Sequence, residues 1–259
     1  MRGLQSPGLF FAAIVLAAAI LPSPVAGQEN EPQRQKKVYV RTGQEATITG
    51  TIHFDGKAPK RWQIDMSQDG ECVKSNRKPL DDRAIVTNGN VANVFIYVKS
   101  EGALDAYTFE PPSSPAVLDQ KRCRFVPHIL GMQAGQKLNV LNSDNTTHNV
   151  NMQAKFNEKS NASHLAGGEP IVRTFFRPET MIPIKCNQHP WMKAYVNVMS
   201  HPFFAVSSRD GSYRIEGLPP GEYTIVAWHE SFGEQSVRLT IVPYESRPLD
   251  FTFKGEDKD

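Results

Sequence analysis

Six short segments rich in β-branched and aromatic residues constrain the fold of this chain more than any other feature. Clusters of Gly, Pro, Asn and Asp, such as TNGN, RDGS and LPPGE, separate the segments, and helical periodicity is almost absent. Regularly spaced strands with such turns predict an all-β protein of antiparallel sandwiches rather than a parallel sheet with crossover helices. The segments are Ala46–Phe54, Asn93–Lys99, Lys137–Asn142, Ala194–Met199, Tyr223–His229 and Ser236–Val242.

The N-terminal residues have the composition of an export signal. Arg2 precedes an apolar run over Leu9–Leu21, and two prolines then lead to small residues that end at Gly27. The run is shorter than the roughly 20 residues that a spanning helix needs, which disfavours a retained membrane anchor. We therefore predict a signal peptide over residues 1–27. The mature chain is then periplasmic or secreted and has no membrane span.

Charge and composition exclude several classes of function. The formal net charge is +2, from 29 basic and 27 acidic residues that are interleaved rather than blocked, so a nucleic-acid partner is not expected. The 39% hydrophobic and 22% charged content is typical of globular protein. Motifs for nicotinamide or flavin binding, for haem attachment and for a nucleophile elbow are absent from the sequence.

The three cysteines, Cys72, Cys123 and Cys186, are an odd number in a chain that is predicted to be exported. Exported thiols tend to be paired or used chemically, so one of the three is left over. If Cys72 and Cys123 form a disulfide, Cys186 remains as a thiolate available to a metal. That pairing requires the two Cβ atoms to approach closely, which a sequence does not show.

The segment KCNQHPWMKAYVNV (Lys185–Val198) contains a thiol, an imidazole and a thioether within seven residues. Cys186, His189 and Met192 follow one another at intervals of three. A copper ion that cycles between two oxidation states accepts these ligand types together, whereas zinc favours more thiolate or imidazole. A second imidazole has to come from elsewhere in the fold. His148, which follows the turn-rich sequence NSDNTT, is the candidate.

Three segments together resemble the blue-copper cupredoxins, and amicyanin and plastocyanin above all. They are FVP (Phe125–Pro127), GQKLNVLNSDNTTHNV (Gly135–Val150) and CNQHPWM (Cys186–Met192). In that family a strand that begins at Gly leads to a first His followed by Asn, and a later Cys-x-x-His-x-x-Met loop supplies the other ligands. The Pro directly after the second His looks most like amicyanin. The resemblance covers roughly 125–199, less than a third of the chain.

The resemblance implies a complete set of ligands for one mononuclear copper ion. By this likeness His148, Cys186 and His189 are the equatorial ligands, and Met192 is the long axial one. It also implies that the amide of Asn149 points at the Cys186 sulfur, a hydrogen bond that tunes the reduction potential. The alternative, a buried thiol among core residues, fits less well because all four ligands occur in the family's order.

The remaining sequence resembles a second family, the carboxypeptidase regulatory-like or transthyretin-like sandwich. The likeness is carried by DGSYRIEGLPPGEYTIVAWHE (Asp210–Glu230), in which two strands flank a Pro-Pro-Gly turn. The sequences at Ala46–Pro59 and Asn93–Val98 look like the first and second strands of the same module.

The two resemblances predict a discontinuous domain arrangement. Residues 40–104 and 201–254 would form the transthyretin-like sandwich, and residues 105–200 would form a cupredoxin Greek-key sandwich inserted between its strands. Insertions of this kind are tolerated at surface loops where strand ends lie close together. A tandem arrangement with an extra N-terminal strand layer is the alternative.

The ligand set predicts an electron carrier rather than an enzyme. Two imidazoles, a thiolate and a thioether fill the coordination positions, which leaves none for a substrate. By the family resemblance, the edge of His189 reaches solvent, and redox partners dock weakly near His189 and Trp191.

Two other functions stay open at this point. A copper-handling or copper-sensing protein would exchange the ion, and a copper-containing subunit of an extracytoplasmic enzyme would need a second metal or an open position. His128 is the candidate ligand for that second or altered site. Isolated histidines, however, are more often structural.

Overall fold

Strands account for nearly all of the regular secondary structure in the part of the chain that the computed structural model describes, which is Gly3 and residues 36–255. The all-β prediction is confirmed, and each of the six predicted segments forms a strand. The elements are, in chain order, β1 (Lys37–Val38), β2 (Ala46–Asp55), α1 (Gly70–Ser75), β3 (Val86–Thr87), β4 (Asn90–Val91), β5 (Phe95–Val98), a 3₁₀ helix (Gly102–Ala106), β6 (Tyr107–Thr108), β7 (Ala116–Gln120), β8 (Phe125–Val126), β9 (Ile129–Gln133), β10 (Lys137–Asn142), β11 (His148–Met152), β12 (Ser160–His164), β13 (Ile171–Thr174), β14 (Glu179–Lys185), β15 (Lys193–Met199), β16 (Phe204–Val206), β17 (Ser212–Leu218), β18 (Gly221–His229), β19 (Gly233–Ile241), β20 (Ser246–Pro248) and β21 (Phe251–Lys254).

Strands β7 to β15 form two sheets around one core, here called the central sandwich. One sheet has the order β13-β10-β7-β8, and the other has the order β12-β11-β14-β15-β9. Side chains alternate across each strand, so Leu138 and Val140 of β10 point into the core and are fully buried. Val150 and Ile184 reach the same core from the opposite sheet.

Two strand pairs of the central sandwich are parallel, which differs from the purely antiparallel arrangement that the sequence predicts. β7 pairs with β10 and β9 pairs with β15 in parallel registers. In both cases the chain crosses to the other sheet before it returns, so the second strand runs in the direction of the first. The other pairs in this sandwich are antiparallel.

Strands from both sides of this segment form two more sheets, here called the flanking sandwich. Their orders are β16-β5-β18-β19 and β17-β2-β4-β3, and β20 and β21 also pair with β2. Ile52 of β2, Ile96 of β5 and Ile225 of β18 are fully buried in the shared core. Strands β2 to β5 precede the central sandwich in sequence, and β16 to β21 follow it.

A third apolar cluster joins the two sandwiches. Phe95 and Val226 of the flanking sandwich pack there against Ile129 of the central sandwich. Gly131 of β9 lies at the same junction, where a Cβ atom would be 2.5 Å from a ring carbon of Phe204. The close approach of the strands therefore requires glycine at this position.

A short helix, which the sequence patterns do not predict, packs against the central sandwich. α1 is N-capped by Asp69, whose carboxylate accepts hydrogen bonds from the backbone amides of Glu71 and Cys72. Cys72 is buried in the central core and forms a disulfide with Cys123. An Asp before Gly-Glu is a helix-start signal, but six residues are too few to show periodicity.

Three further predictions concern segments outside the strands. The predicted signal peptide, residues 1–27, lies outside the described residues apart from Gly3. The predicted connection at Phe109–Pro115 does run without a strand between β6 and β7. Within the described part of the chain, no helix combines the length and apolar composition that a membrane crossing requires.

Candidate metal centre

Adjacent strand ends bring the predicted ligands together. His148 is the first residue of β11, and Cys186 directly follows β14. These strands pair through Asn151 and Lys185, so the start of β11 lies beside the end of β14. The loop after Cys186 closes on itself, because the Cys186 amide donates to the Met192 carbonyl at 3.2 Å.

Three of the four predicted ligand side chains converge on one point. The Nδ1 atoms of His148 and His189 are 2.9 Å apart, and the Cys186 Sγ lies 3.7 Å from the His189 Nδ1. One ligand atom from each residue fits within a mutual distance of 4.8 Å. All three side chains are buried, as is Met192, which packs in the same core cluster as Cys186.

Asn149 contacts the thiol in the way that the family resemblance implies. Its backbone amide donates to the Cys186 Sγ at 3.3 Å. Its side-chain oxygen accepts from the Asn187 amide at 3.3 Å, and its side-chain nitrogen donates to Asn161 at 2.8 Å. Asn149 therefore holds both the sulfur and the start of the ligand loop in place.

Two carboxylates orient the histidines, and the sequence analysis did not identify either of them. Asp144 Oδ2 lies 2.9 Å from the His148 Nε2, and Asp69 Oδ2 lies 3.1 Å from the His189 Nε2. Each Nε2 is thereby occupied, which leaves each Nδ1 to face the cluster. The spacing Asp-x-x-x-His signals Asp144, whereas Asp69 lies 120 residues from His189 and has no local signal.

The protonation preferences follow from burial and these partners. Burial by itself lowers the pKa of His148, but the hydrogen bond to Asp144 and the nearby Cys186 sulfur raise it to about 9. Burial raises the pKa of the Cys186 thiol, yet His148 and the Asn149 amide bring it below its ordinary value. Burial and the charge of His148 lower the pKa of His189. Compared with isolated side chains, the cluster therefore favours the protonated form of His148 and the deprotonated form of Cys186.

The donor set fits copper. A thiolate and two imidazoles with their Nδ1 atoms turned inward match a trigonal His2Cys arrangement, and Met192 in the same core offers a thioether. Two further metal-like clusters join Asp69 or Asp144 to a cysteine and a histidine. Their cysteines are bonded to each other in the disulfide, so they offer no thiolate.

The prediction that the edge of His189 reaches solvent is wrong. The His189 side chain is 5% exposed. Asp69 covers it, and the Cys72 Sγ lies 3.9 Å from its Nε2. The cause is the segment around α1, which the cupredoxin likeness does not include and which folds over the ligand loop.

Trp191 lies between the cluster and the surface. Its ring centroid is 5.1 Å from that of His189, and its indole Nε1 donates to the Cys123 carbonyl at 3.1 Å. Trp191 is half-buried, and it lines a cavity of about 350 Å³ that Arg124 and Lys193 also line. Trp191 therefore contacts the candidate ligand His189 on one side and is partly exposed to solvent on the other.

His128 lies outside the candidate metal clusters of the described residues. Its Nε2 pairs with Glu230, whose other carboxylate oxygen is 3.2 Å from the Lys193 Nζ. These contacts join the central and flanking sandwiches, so the structure gives His128 a role in holding the two sandwiches together.

One family model matches this chain, and it covers the C-terminal part. Residues 187–254 match the carboxypeptidase regulatory-like domain. The match supports the second resemblance and begins within the ligand loop. In the structure, however, β15 pairs with β14 and β9 of the central sandwich rather than with the flanking sheets. No curated protein sequence matches the chain.

Solved structures similar to parts of this chain include copper proteins. A copper-containing nitrite reductase from Thermus scotoductus is 20% identical over 46% of this chain and 27% of its own length, with a TM-score of 0.31. Amicyanin from Paracoccus versutus is 19% identical over 40% of this chain and 96% of its own, with a TM-score of 0.30. A purple cupredoxin from Nitrosopumilus maritimus is 19% identical over 32% and 98%, with a TM-score of 0.28. The case for a copper site in this chain rests on its own side-chain geometry.

Proposed function

We propose that this chain is an exported blue-copper protein that carries single electrons between redox partners. The ligands would be His148, Cys186, His189 and Met192, with one copper ion per chain. The observation that carries the proposal is the convergence of two inward-facing Nδ1 atoms, 2.9 Å apart, beside a buried thiol. A copper ion held by these donors would accept and release one electron.

The surrounding residues suit electron transfer better than turnover of a bound substrate. His148 is completely buried, and its ring is fixed between Asp144 and His189. The Asn149 amide and the closed loop hold the Cys186 sulfur in place. A buried site with restrained donors changes little in geometry when its charge changes, and it gives a substrate no free position. We therefore propose a carrier, not an enzyme.

The proposal extends to location and partners. Export follows from the predicted signal peptide, and the domain boundaries given above, 40–104 with 201–254 and 105–200, stay a prediction. Redox partners would dock near His189 and Trp191. The half-buried Trp191, 5.1 Å from His189, supports this position.

The test is a visible absorption and electron paramagnetic resonance spectrum of the mature chain loaded with cupric copper. We expect an intense thiolate-to-copper band and small hyperfine splitting, and we expect both to be lost in Cys186→Ser. Met192→Leu should shift the spectrum. Met199→Leu is its matched control, since Met199 is equally buried but packs at the junction of the sandwiches.

Other spectra would favour other functions. Weak absorption with ordinary splitting in the native chain would mean an open or altered site, and the copper-handling and enzyme hypotheses would then take precedence. A spectrum that Cys186→Ser leaves unchanged would rule out the proposed ligand set.

A further inference from the structure

Two covalently joined segments cover the His189 side of the candidate metal centre, and we call them the cap (residues 69–78 and 121–124). The Cys72–Cys123 disulfide links them. The Asn76 side chain donates to the Arg122 carbonyl at 2.8 Å, and the Arg122 Nε donates to the Ser75 carbonyl at 3.2 Å. The two segments of the cap are therefore held together by a covalent bond and by hydrogen bonds.

The inner side of the cap lies against the histidine ligands. Asp69 accepts hydrogen bonds from the Thr146 hydroxyl at 2.7 Å and from the amides that it caps, and it contacts His189. The disulfide sulfur of Cys72 lies 3.9 Å from the His189 Nε2. One layer of side chains thus separates His189 from the outer surface of the cap.

The outer side of the cap is strongly basic. Its single outward carboxylate, Glu71, is paired with Lys74 at 2.6 Å. Five exposed side chains carry positive charge on this small surface, while the whole chain carries a formal charge of only +2. They are Lys74, Arg77, Lys78, Lys121 and Arg122.

We propose that the outer face of the cap docks an acidic redox protein, which exchanges one electron with the metal centre across the disulfide and His189. The inference rests on the proposed function and adds the chemical class of the partner. In each encounter the partner loses one electron and the oxidised site gains it, or the reverse. No covalent bond or proton changes place. A concentrated positive surface near the site would steer and orient an acidic partner.

The experiment measures how small redox probes of opposite charge oxidise the reduced, copper-loaded full chain in a stopped-flow instrument. Ferricyanide is the anionic probe, and tris(phenanthroline)cobalt(III) is the cationic one. The test variant combines Arg77→Glu, Lys78→Glu and Lys121→Glu, three exposed side chains without a hydrogen bond or ion pair among the described residues. At low salt we expect the ferricyanide rate to fall at least about tenfold and the cobalt rate to rise.

A matched control changes the net charge equally at the opposite end of the central sandwich. It combines Lys137→Glu, Lys155→Glu and Lys159→Glu, which lie at the start of β10 and in the connection after β11. These ends point away from the ligands, because β10 leads towards the centre and β11 leads away from it. The control should alter both rates much less than the cap variant does, since its charges lie at the ends of β10 and β11 that are distant from the ligands and the interaction between charges falls with distance.

The outcomes separate the docking inference from the proposed function. If the native chain has the blue-copper spectrum but the cap variant and the control change the rates equally, the cap is not the docking surface. If neither probe oxidises the native chain, or the spectrum is absent, the proposed function fails and the docking inference fails with it. In the native chain, rising salt should slow ferricyanide and speed up the cobalt complex, which tests the idea without any substitution.

Discussion

The buried histidines of the two sandwiches differ in what faces their rings. His148 of the central sandwich and His201 and His229 of the flanking sandwich are each no more than 1% exposed. The hydrogen bond to Asp144 raises the pKa of His148 to about 9 against the effect of burial. Burial lowers the pKa of His201 and of His229 to about 4.

Burial alone therefore does not make a histidine part of a metal site. His201 stacks on Phe203, and His229 stacks on Phe232 with ring centroids 4.4 Å apart, so both are neutral parts of an aromatic core. His148 has a carboxylate on one ring nitrogen and a second imidazole on the other. The carboxylate fixes the orientation of the His148 ring. Its Nδ1 atom therefore faces the other two candidate ligands, Cys186 and His189.

Replacing a candidate ligand histidine by glutamine should have a much larger effect on the copper spectrum than replacing a histidine of the aromatic core. His148→Gln should abolish the intense copper absorption, because it removes one of the two inward Nδ1 atoms. His229→Gln should keep the absorption and lower the midpoint of thermal unfolding, because it disturbs only the aromatic core. A retained blue spectrum in His148→Gln would show that His148 is not a copper ligand.

The disulfide should stabilise the chain by the next largest amount. Cys72 and Cys123 are 51 residues apart, and closing a loop of that length contributes about 4 kcal/mol in the chain-entropy model. Urea unfolding of the copper-free Cys72→Ala/Cys123→Ala variant should show a loss of this order. Cys186→Ser, which keeps the bridge, is the control. Equal urea midpoints for the two variants would mean that the bridge adds nothing.

Acid should destabilise the flanking sandwich through its neutral histidines. Below pH 6.5 the unfolded chain protonates His201 and His229, whereas the folded chain does not do so until about pH 4. Because the unfolded state binds more protons in this window, stability falls as the pH is lowered from 7 to 5, by about 2 kcal/mol for each histidine. Urea unfolding at both pH values should show a much smaller fall in the His201→Gln/His229→Gln variant. An equal fall would assign the effect to other groups.

The smallest expected effect tests the carboxylate behind His148. Asp144→Asn should weaken copper binding at least about tenfold, since the amide is a poorer partner for the imidazole. Asp119→Asn is a suitable control, because Asp119 accepts a hydrogen bond from the Ser143 hydroxyl and does not contact a candidate ligand. Competition with a chelator measures both affinities. If the two variants bind copper equally well, Asp144 has no orienting role.

Much of the fold and part of the candidate site could be predicted from local sequence. β10 begins and ends where its alternating segment does, and β18 and β19 extend the predicted segments by only a few residues. Cys186, His189 and Met192 were recognisable because one short loop carries all three. His148 was a candidate because it follows a turn-rich segment, and the family resemblance then made it an equatorial ligand.

The order of residues was enough to determine the strands and the ligand types, because side-chain alternation and loop spacing are local properties of the chain. Which distant residues surround those ligands depends on the tertiary structure. Asp69 reaches His189 across 120 residues, and the disulfide holds α1 over the imidazole edge. Such contacts depend on how the sheets pack. Residues far apart in sequence meet there, and no local pattern predicts their contact. The same packing buried His189 and gave the centre its basic outer face.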